Sequence, residues 1–365
     1  MTTLRGAADI LEGPGEPVRL HDIAQRAGFF TCSMRTLSDY AESIPAPADD
    51  IVERVAPNRL PLNVGSLALP YCSNKSPLQF DPSVRCAVIV LHGTGRNATG
   101  YYQSMLRAAG RAGKLAESII VAPHFLTRDD VQHHHLGGEI PFWTNDDWKQ
   151  GSPSLLGSAG SATLSSFSAL DVLLALLTDL DRFPNLQRVV FAGHSAGGQF
   201  VNRYAAGTGH VFPVTYVVAN PSSYLYMDKR RRPAFEPAFT FPSPIEEEGC
   251  GSINSYKYGL DHLNVCGYML AVGEDQIRAR YAQRRVTYLL GTDDNDPGDD
   301  DLDKSCAADY QGRHRYERGA TYYDYLLEYY GPSIAVNHRF VPVPGVGHSA
   351  GDMFNSPEGI HEIFG

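Results

Sequence analysis

The chain has 365 residues, 43% of them hydrophobic and 10% aromatic, enough to bury a large core in one big α/β domain or two smaller ones, and too apolar for a disordered chain. Its formal net charge of −10 disfavours nucleic acid as a partner, because an acidic protein repels a polyanion unless basic residues segregate, and the strongest basic run, 229–232, ends at Pro233. No run of about 18 apolar residues marks a membrane span, and the opening MTTLRGAADILEGPGEP lacks the pattern of a secretory leader, so the expectation is a cytoplasmic protein without membrane contact.

Residues 1–50 read as an N-terminal extension of unassigned role, set off by the Pro-rich stretch 45–61 from a domain spanning 51–365. Within the extension, 20–37 faintly resembles the first helix and turn of a helix-turn-helix, with Ala27-Gly28 at the turn; on an acidic chain a helical hairpin is the better reading. The stretch 62–71 predicts an antiparallel edge strand or hairpin. From Cys86 onward, short apolar runs at 86–91, 119–122, 189–192, 214–219, 286–290 and 339–343 alternate with helical patterns at 163–180, 196–206, 276–284 and 310–329. That alternation predicts an α/β fold with a mostly parallel central sheet, helices on both faces, and loop insertions forming a lid.

The insertions are 125–162 and 221–270, long enough to act as lids or binding loops. They hold Trp143, Trp148, Tyr224 and Tyr226, expected near the C-terminal edge of the sheet. Trp143 and Tyr224 are candidates to line a substrate pocket, with core packing as the alternative. No metal site is expected. Adjacent residues in the triplet His133, His134 and His135 point different ways. In the acidic stretch 293–303, Pro297 stands where a calcium loop needs an oxygen ligand, and Lys304 where it needs a bidentate Glu. Cys32, Cys72, Cys86, Cys250, Cys266 and Cys306 show no C-x-x-C spacing and read as free thiols, with Cys250 to Cys266 as a bridge if the protein were exported.

One run carries chemistry. VVFAGHSAGGQF, 189–200, is an apolar strand that stops at Gly193, presents Ser195 and restarts as a helix at Ala196. A turn that holds a nucleophile clear of the surface strains the Ser backbone, and side chains two places away would collide with the adjoining helix; Gly193 and Gly197 remove them. The Ala196 N–H and the helix N-terminus then face any negative charge developing near Ser195.

A serine hydroxyl needs a base, and that base needs an acid to orient it. His348, on the Gly-rich segment VPGVGHSAGDMF after the last strand, is the candidate base; His92, His194 and His338 are less well placed. Asp294, in the carboxylate cluster that ends the strand at 286–290, is the candidate acid, with Asp293 its main rival and Asp296 a third. VIVLHGTGRNATGYY, 88–102, supplies a strand ending in His92-Gly93, with Thr94 N–H as a second oxyanion donor beside Ala196 N–H and His92 holding the loop.

The ordered set His92-Gly93, Gly193-His194-Ser195-Ala196-Gly197, Asp294 and His348 resembles the α/β-hydrolase superfamily, in which Ser, acid and His follow in that chain order. The GHSAGG turn is similar to that of esterases related to polyhydroxybutyrate depolymerases and feruloyl esterases. NPSSYLY at 220–226, LDKSCAADYQGRHRYERG at 302–319 and VPGVGH resemble the same group, over about 62 to the C-terminus. The resemblance implies a two-step acyl transfer on a small-molecule or polymeric ester, with no cofactor. Two other readings stay open: an amidase or peptidase with the same triad, and a ligand-binding protein that keeps the fold without the chemistry. Oligomeric state is not predicted.

Overall fold

Short apolar runs build the centre of the molecule. In the computed structural model, which describes residues 51–155, 163–233 and 236–365, eight strands form one sheet: β1 (Asn58–Pro61), β2 (Ala68–Ser73), β3 (Cys86–Leu91), β4 (Ser118–Pro123), β5 (Arg188–His194), β6 (Val214–Ala219), β7 (Arg285–Gly291) and β8 (His338–Val343). Their spatial order is β1-β2-β4-β3-β5-β6-β7-β8. β1 pairs antiparallel with β2, β2 antiparallel with β4, and all remaining neighbours run parallel. The expected edge at 62–71 is the turn and part of the second strand of the β1–β2 hairpin. The N-terminal extension, with its helix-turn-helix-like stretch and Cys32, lies outside the described residues.

The helices that cover the sheet are α1 (Ala98–Arg111), α2 (Ser166–Leu177), α3 (Ala196–Gly207), α4 (Glu274–Gln283), α5 (Arg315–Tyr330), α6 (Ala350–Asn355) and α7 (Pro357–Phe364). Alternate strand residues point to opposite faces, and the core divides accordingly. Ala87, Ile89, Phe191, Tyr216 and Tyr288 pack with Leu170, Phe200, Tyr281 and Tyr322 of α2 to α5. Val88, Val90, Val190 and Val217 pack with Met105, Phe354 and Ile363 of α1, α6 and α7. With both faces covered, these strands read as continuous apolar runs.

The differences from expectation have local causes. α1, α6 and α7 are not among the predicted helices. ATGYYQSMLRAAGR carries two glycines and buries mainly small residues, so no repeat of bulky apolar side chains marks it; Asn97, whose side chain accepts from Gly100 N–H, marks its start. The helix expected at 310–329 begins at Arg315 because Gly312, at φ 142°, turns the chain and His314 caps the new start, accepting from Glu317 N–H. The cysteines also differ: Cys250 is bonded to Cys306, with Cα atoms 5.9 Å apart, while the Cys266 Sγ lies 3.3 Å from the Gly151 carbonyl oxygen. A bridge needs Cα atoms within about 7 Å, a proximity that 56 residues of separation do not disclose.

One buried carboxyl ties α2 to α3. Asp171 Oδ1 accepts from Tyr204 Oη at 2.6 Å, Tyr268 Oη at 3.1 Å and Thr208 Oγ1 at 3.3 Å. Burial nonetheless raises its pKa to about 6, above the ordinary value of 3.8. The folded protein therefore holds this proton where the unfolded chain has lost it, so stability falls as pH rises from about 4 to about 6 and stays lowered above that. Asp171→Asn, which keeps an acceptor but cannot ionise, is expected to gain on the parent as pH rises from 4 to 8, by up to roughly 3 kcal/mol for two pKa units. Urea titrations at the two pH values measure it, and an equal difference at both contradicts it.

Candidate active site

Strand β5 ends at His194 and α3 begins at Ala196, leaving Ser195 alone to reverse the chain. Its backbone is at φ 58°, ψ −121°, a conformation that a residue with a Cβ adopts only under local constraint. The constraint is visible: Ser195 N–H donates to Ala219 O at 2.9 Å, and Gln199 N–H closes the first helical turn onto Ser195 O at 3.0 Å. A Cβ on Gly193 would collide with the Gly197 backbone, and one on Gly197 would sit 2.6 Å from the carbonyl oxygens of Leu91 and His92. The two glycines thus permit β3, β5 and α3 to approach closely. As the first residue of α3, Ala196 has an N–H with no intrahelical acceptor.

β7 and β8 deliver the other two candidates. Asp294 lies just beyond β7, His348 just beyond β8, and His348 Nδ1 is 2.7 Å from Asp294 Oδ2. Asp294 Oδ1 is 3.4 Å from Arg315 Nη1, and Arg315 also donates to Asp299 at 2.9 Å and Ser222 at 3.3 Å. Arg315 is fully buried, so the carboxylate that meets the imidazole is itself held from behind. Asp293, the rival acid, instead accepts from Thr292 Oγ1 in an exposed turn. Ser195 and His348 open onto one cleft of about 300 Å³, together with Gly93, Thr94, Tyr101, His194 and Asp301.

The loop after β3 is held from several sides. His92 Nδ1 lies 2.9 Å from Gly93 O, and Phe125 N–H donates to His92 Nε2 at 3.1 Å. Burial drives the His92 pKa down to about 3, with nearby His124 adding to the shift, so the ring is a neutral strut. Arg96, in the left-handed region at φ 52°, donates to Asp130 at 2.9 Å, to Thr94 O at 3.2 Å and to Asn145 Oδ1 at 3.1 Å. Burial pushes the Asp130 carboxyl up, but hydrogen bonds from Arg96, Thr127 and Val52 outweigh it and hold its pKa below the ordinary value. Arg96 anchors the Thr94 carbonyl, and hence the peptide plane of the loop. Nothing in the sequence singles out Arg96, Asp130, Arg315 or Tyr101: an arginine in a loop or at a helix start reads as solvated until its buried partner is seen.

Trp143 and Tyr224, expected in a pocket, are core residues. Both are fully buried: Trp143 packs edge-on against Phe125 and donates to Ser152 O, and Tyr224 stacks on Tyr322 of α5. Trp148 and Tyr226 are buried as well, Trp148 stacked on Phe125. These aromatic rings pin the two insertions to the scaffold instead of facing the cleft. His134 Nε2 is 2.7 Å from Val52 O, and among the described residues no cluster of His, Cys, Asp or Glu has the arrangement of a metal site. No described helix is long and apolar enough to cross a membrane.

No protein-family model and no curated protein matches the chain. Among solved structures it is similar to LpqC, a poly(3-hydroxybutyrate) depolymerase from Bordetella parapertussis, at 23% identity and a TM-score of 0.52 over 82% of this chain and 87% of that one. It is also similar to poly(aspartic acid) hydrolase-1 from Sphingomonas sp. KT-1, at 21% identity and a TM-score of 0.54 over 83% of this chain and 96% of that one. Sheet order, the strained serine between β5 and α3, and these two likenesses agree that the chain has the α/β-hydrolase fold.

Proposed function

We propose that the chain is a serine hydrolase that cleaves carboxylic esters through an acyl-enzyme. The observation that carries this reading is the 2.7 Å contact of His348 Nδ1 with Asp294, in an imidazole that opens onto the same cleft as the strained Ser195. Asp294 accepts a hydrogen bond from Nδ1–H, which stays on the ring, and so leaves Nε2 as the basic nitrogen. His348 Nε2 takes the Ser195 hydroxyl proton as Oγ bonds to the ester carbonyl carbon, and the carbonyl electron pair moves onto oxygen. Thr94 and Ala196 N–H groups receive that oxyanion. As the tetrahedral species collapses, the carbon–oxygen bond to the alcohol breaks and the imidazolium protonates the leaving oxygen. Water, deprotonated by the same nitrogen, then releases the acid and restores Ser195.

The two similar structures are named for a polyester and for poly(aspartic acid), so the fold is compatible with both ester and amide substrates. An alkoxide leaves more readily than an amine anion, which favours esters. A fluorophosphonate probe is expected to label Ser195 in the folded protein, and p-nitrophenyl esters to turn over faster than the matching anilides. No adduct at Ser195 favours a ligand-binding protein; faster anilide turnover favours an amidase.

A further inference from the structure

Tyr101 presents a polar group to the cleft that has no task in the acyl transfer described so far. It stands in the first turn of α1, and its phenol oxygen is 3.1 Å from His194 Nδ1. A Cβ on Gly93 would lie 2.7 Å from that oxygen and 3.5 Å from Ser195 Cβ, so the phenol sits against the Gly93 backbone on the same side as the serine, an approach that any other residue at 93 would obstruct. Tyr101, Thr94, Ser195 and His348 border the same cleft.

The direction of the phenol proton follows from its neighbours. His194 is buried and its pKa is driven well below the ordinary value, first by burial and then by His348 and Arg315, so its ring is neutral and carries one proton. Its Nε2 has no hydrogen-bond partner among the described residues. A proton there would be a buried donor with no acceptor, the costlier kind of orphan, whereas on Nδ1 it is shared with Tyr101. The phenol oxygen then accepts from His194 Nδ1–H and lies against the Gly93 backbone. Burial raises the pKa of the phenol and keeps it protonated. With His194 Nδ1–H on one side and the Gly93 backbone on another, the O–H is left to donate into the cleft that Tyr101 borders.

We infer that the Tyr101 hydroxyl is a third oxyanion donor, aimed beside the Thr94 and Ala196 N–H groups at the oxygen that becomes negative when Ser195 attacks. The inference rests on the serine-hydrolase reading. It differs from a positioning role, in which Tyr101 acts only by steadying His194 against the His348 ring, 4.5 Å away between centroids.

Tyr101→Phe deletes one oxygen. It is expected to lower kcat for a p-nitrophenyl ester by roughly 10- to 100-fold, the scale of one lost oxyanion donor. KM should move less than about threefold, as expected when an interaction made only in the transition state is removed, and the loss should be the same across the pH profile. A trifluoromethyl ketone, which forms a tetrahedral oxyanion on the serine, should bind weaker by the same factor. Unchanged kcat overturns the inference, and so does a loss that comes with a displaced acid limb, the mark of a role through His194 and His348. Should the variant not fold, 3-fluorotyrosine at 101 preserves the shape and strengthens the donor: tighter ketone binding supports the inference, unchanged binding overturns it. Ser195→Ala, measured in parallel, separates the two levels. Activity surviving in Ser195→Ala removes the hydrolase reading itself, whereas an inactive Ser195→Ala beside a fully active Tyr101→Phe removes only the tyrosine's role.

Discussion

Ser195→Ala is expected to lower kcat/KM for p-nitrophenyl acetate by on the order of 10⁵-fold or more while leaving the protein folded, because it removes the hydroxyl proposed as the nucleophile and nothing else. The residue keeps its Cβ, so the backbone at φ 58° is no more strained with alanine than with serine. The bonds that hold the turn, Ser195 N–H to Ala219 O and Gln199 N–H to Ser195 O, belong to the main chain and survive. Melting should therefore stay within about 0.5 kcal/mol of the parent in stability. Residual activity above a few per cent, in protein free of contaminating esterase, is incompatible with Ser195 as the acylated residue.

Asp294→Asn should follow closely, with a loss on the order of 10⁴-fold in kcat. The carboxylate is an acceptor on both oxygens, toward His348 Nδ1 and toward Arg315. An amide facing the imidazole with its NH₂ forces the lone pair onto Nδ1 and the proton onto Nε2, where it blocks proton transfer from Ser195. Arg315 retains Asp299 and Ser222, so the fold persists and the loss is one of chemistry. Asp293→Asn is the matched control: this neighbour is an exposed turn residue, and its variant should stay within about threefold of the parent, since surface substitutions of this kind cost little. A large loss for Asp293→Asn with little for Asp294→Asn would reverse the assignment between the two carboxylates.

Both variants probe residues legible in the sequence, and the physical reason is locality. A nucleophile turn must be written in consecutive residues, because Gly193, Ser195 and Gly197 clear space for one another across a single strand-to-helix reversal. The inner parallel strands are legible for a related reason: they are buried on two faces, so 86–91 or 189–192 has no polar alternation to mistake for an exposed edge. α1 was harder to see, since its buried face is built from Ala98, Ser104, Met105, Ala108 and Ala109, with no bulky apolar repeat.

Other features depend on partners far away in the chain. Trp143 and Tyr224 have the composition of pocket residues, and whether an aromatic side chain faces a cleft or a core is decided by what packs on it, here Phe125 and Tyr322. Arg96 and Arg315 look like solvated cations until Asp130 and Asp294 are found beside them. Cys250 finds Cys306 because the end of the helix Pro244–Gly249 meets the start of the helix Cys306–Asp309.

By itself, then, the amino-acid order determined the alternating α/β architecture, the strained serine turn and the succession of Ser195, a carboxylate cluster at 293–296 and His348, since each is a short-range pattern of apolar period, glycine placement or loop after strand. The tertiary structure alone decided which carboxylate meets the imidazole, which arginines hold the loops, which cysteines join and that the Tyr101 phenol oxygen lies beside His194. Those are contacts between segments some 20 to 90 residues apart, and their geometry is set by the packing of strands and helices around the sheet, a quantity that no local run of residues encodes.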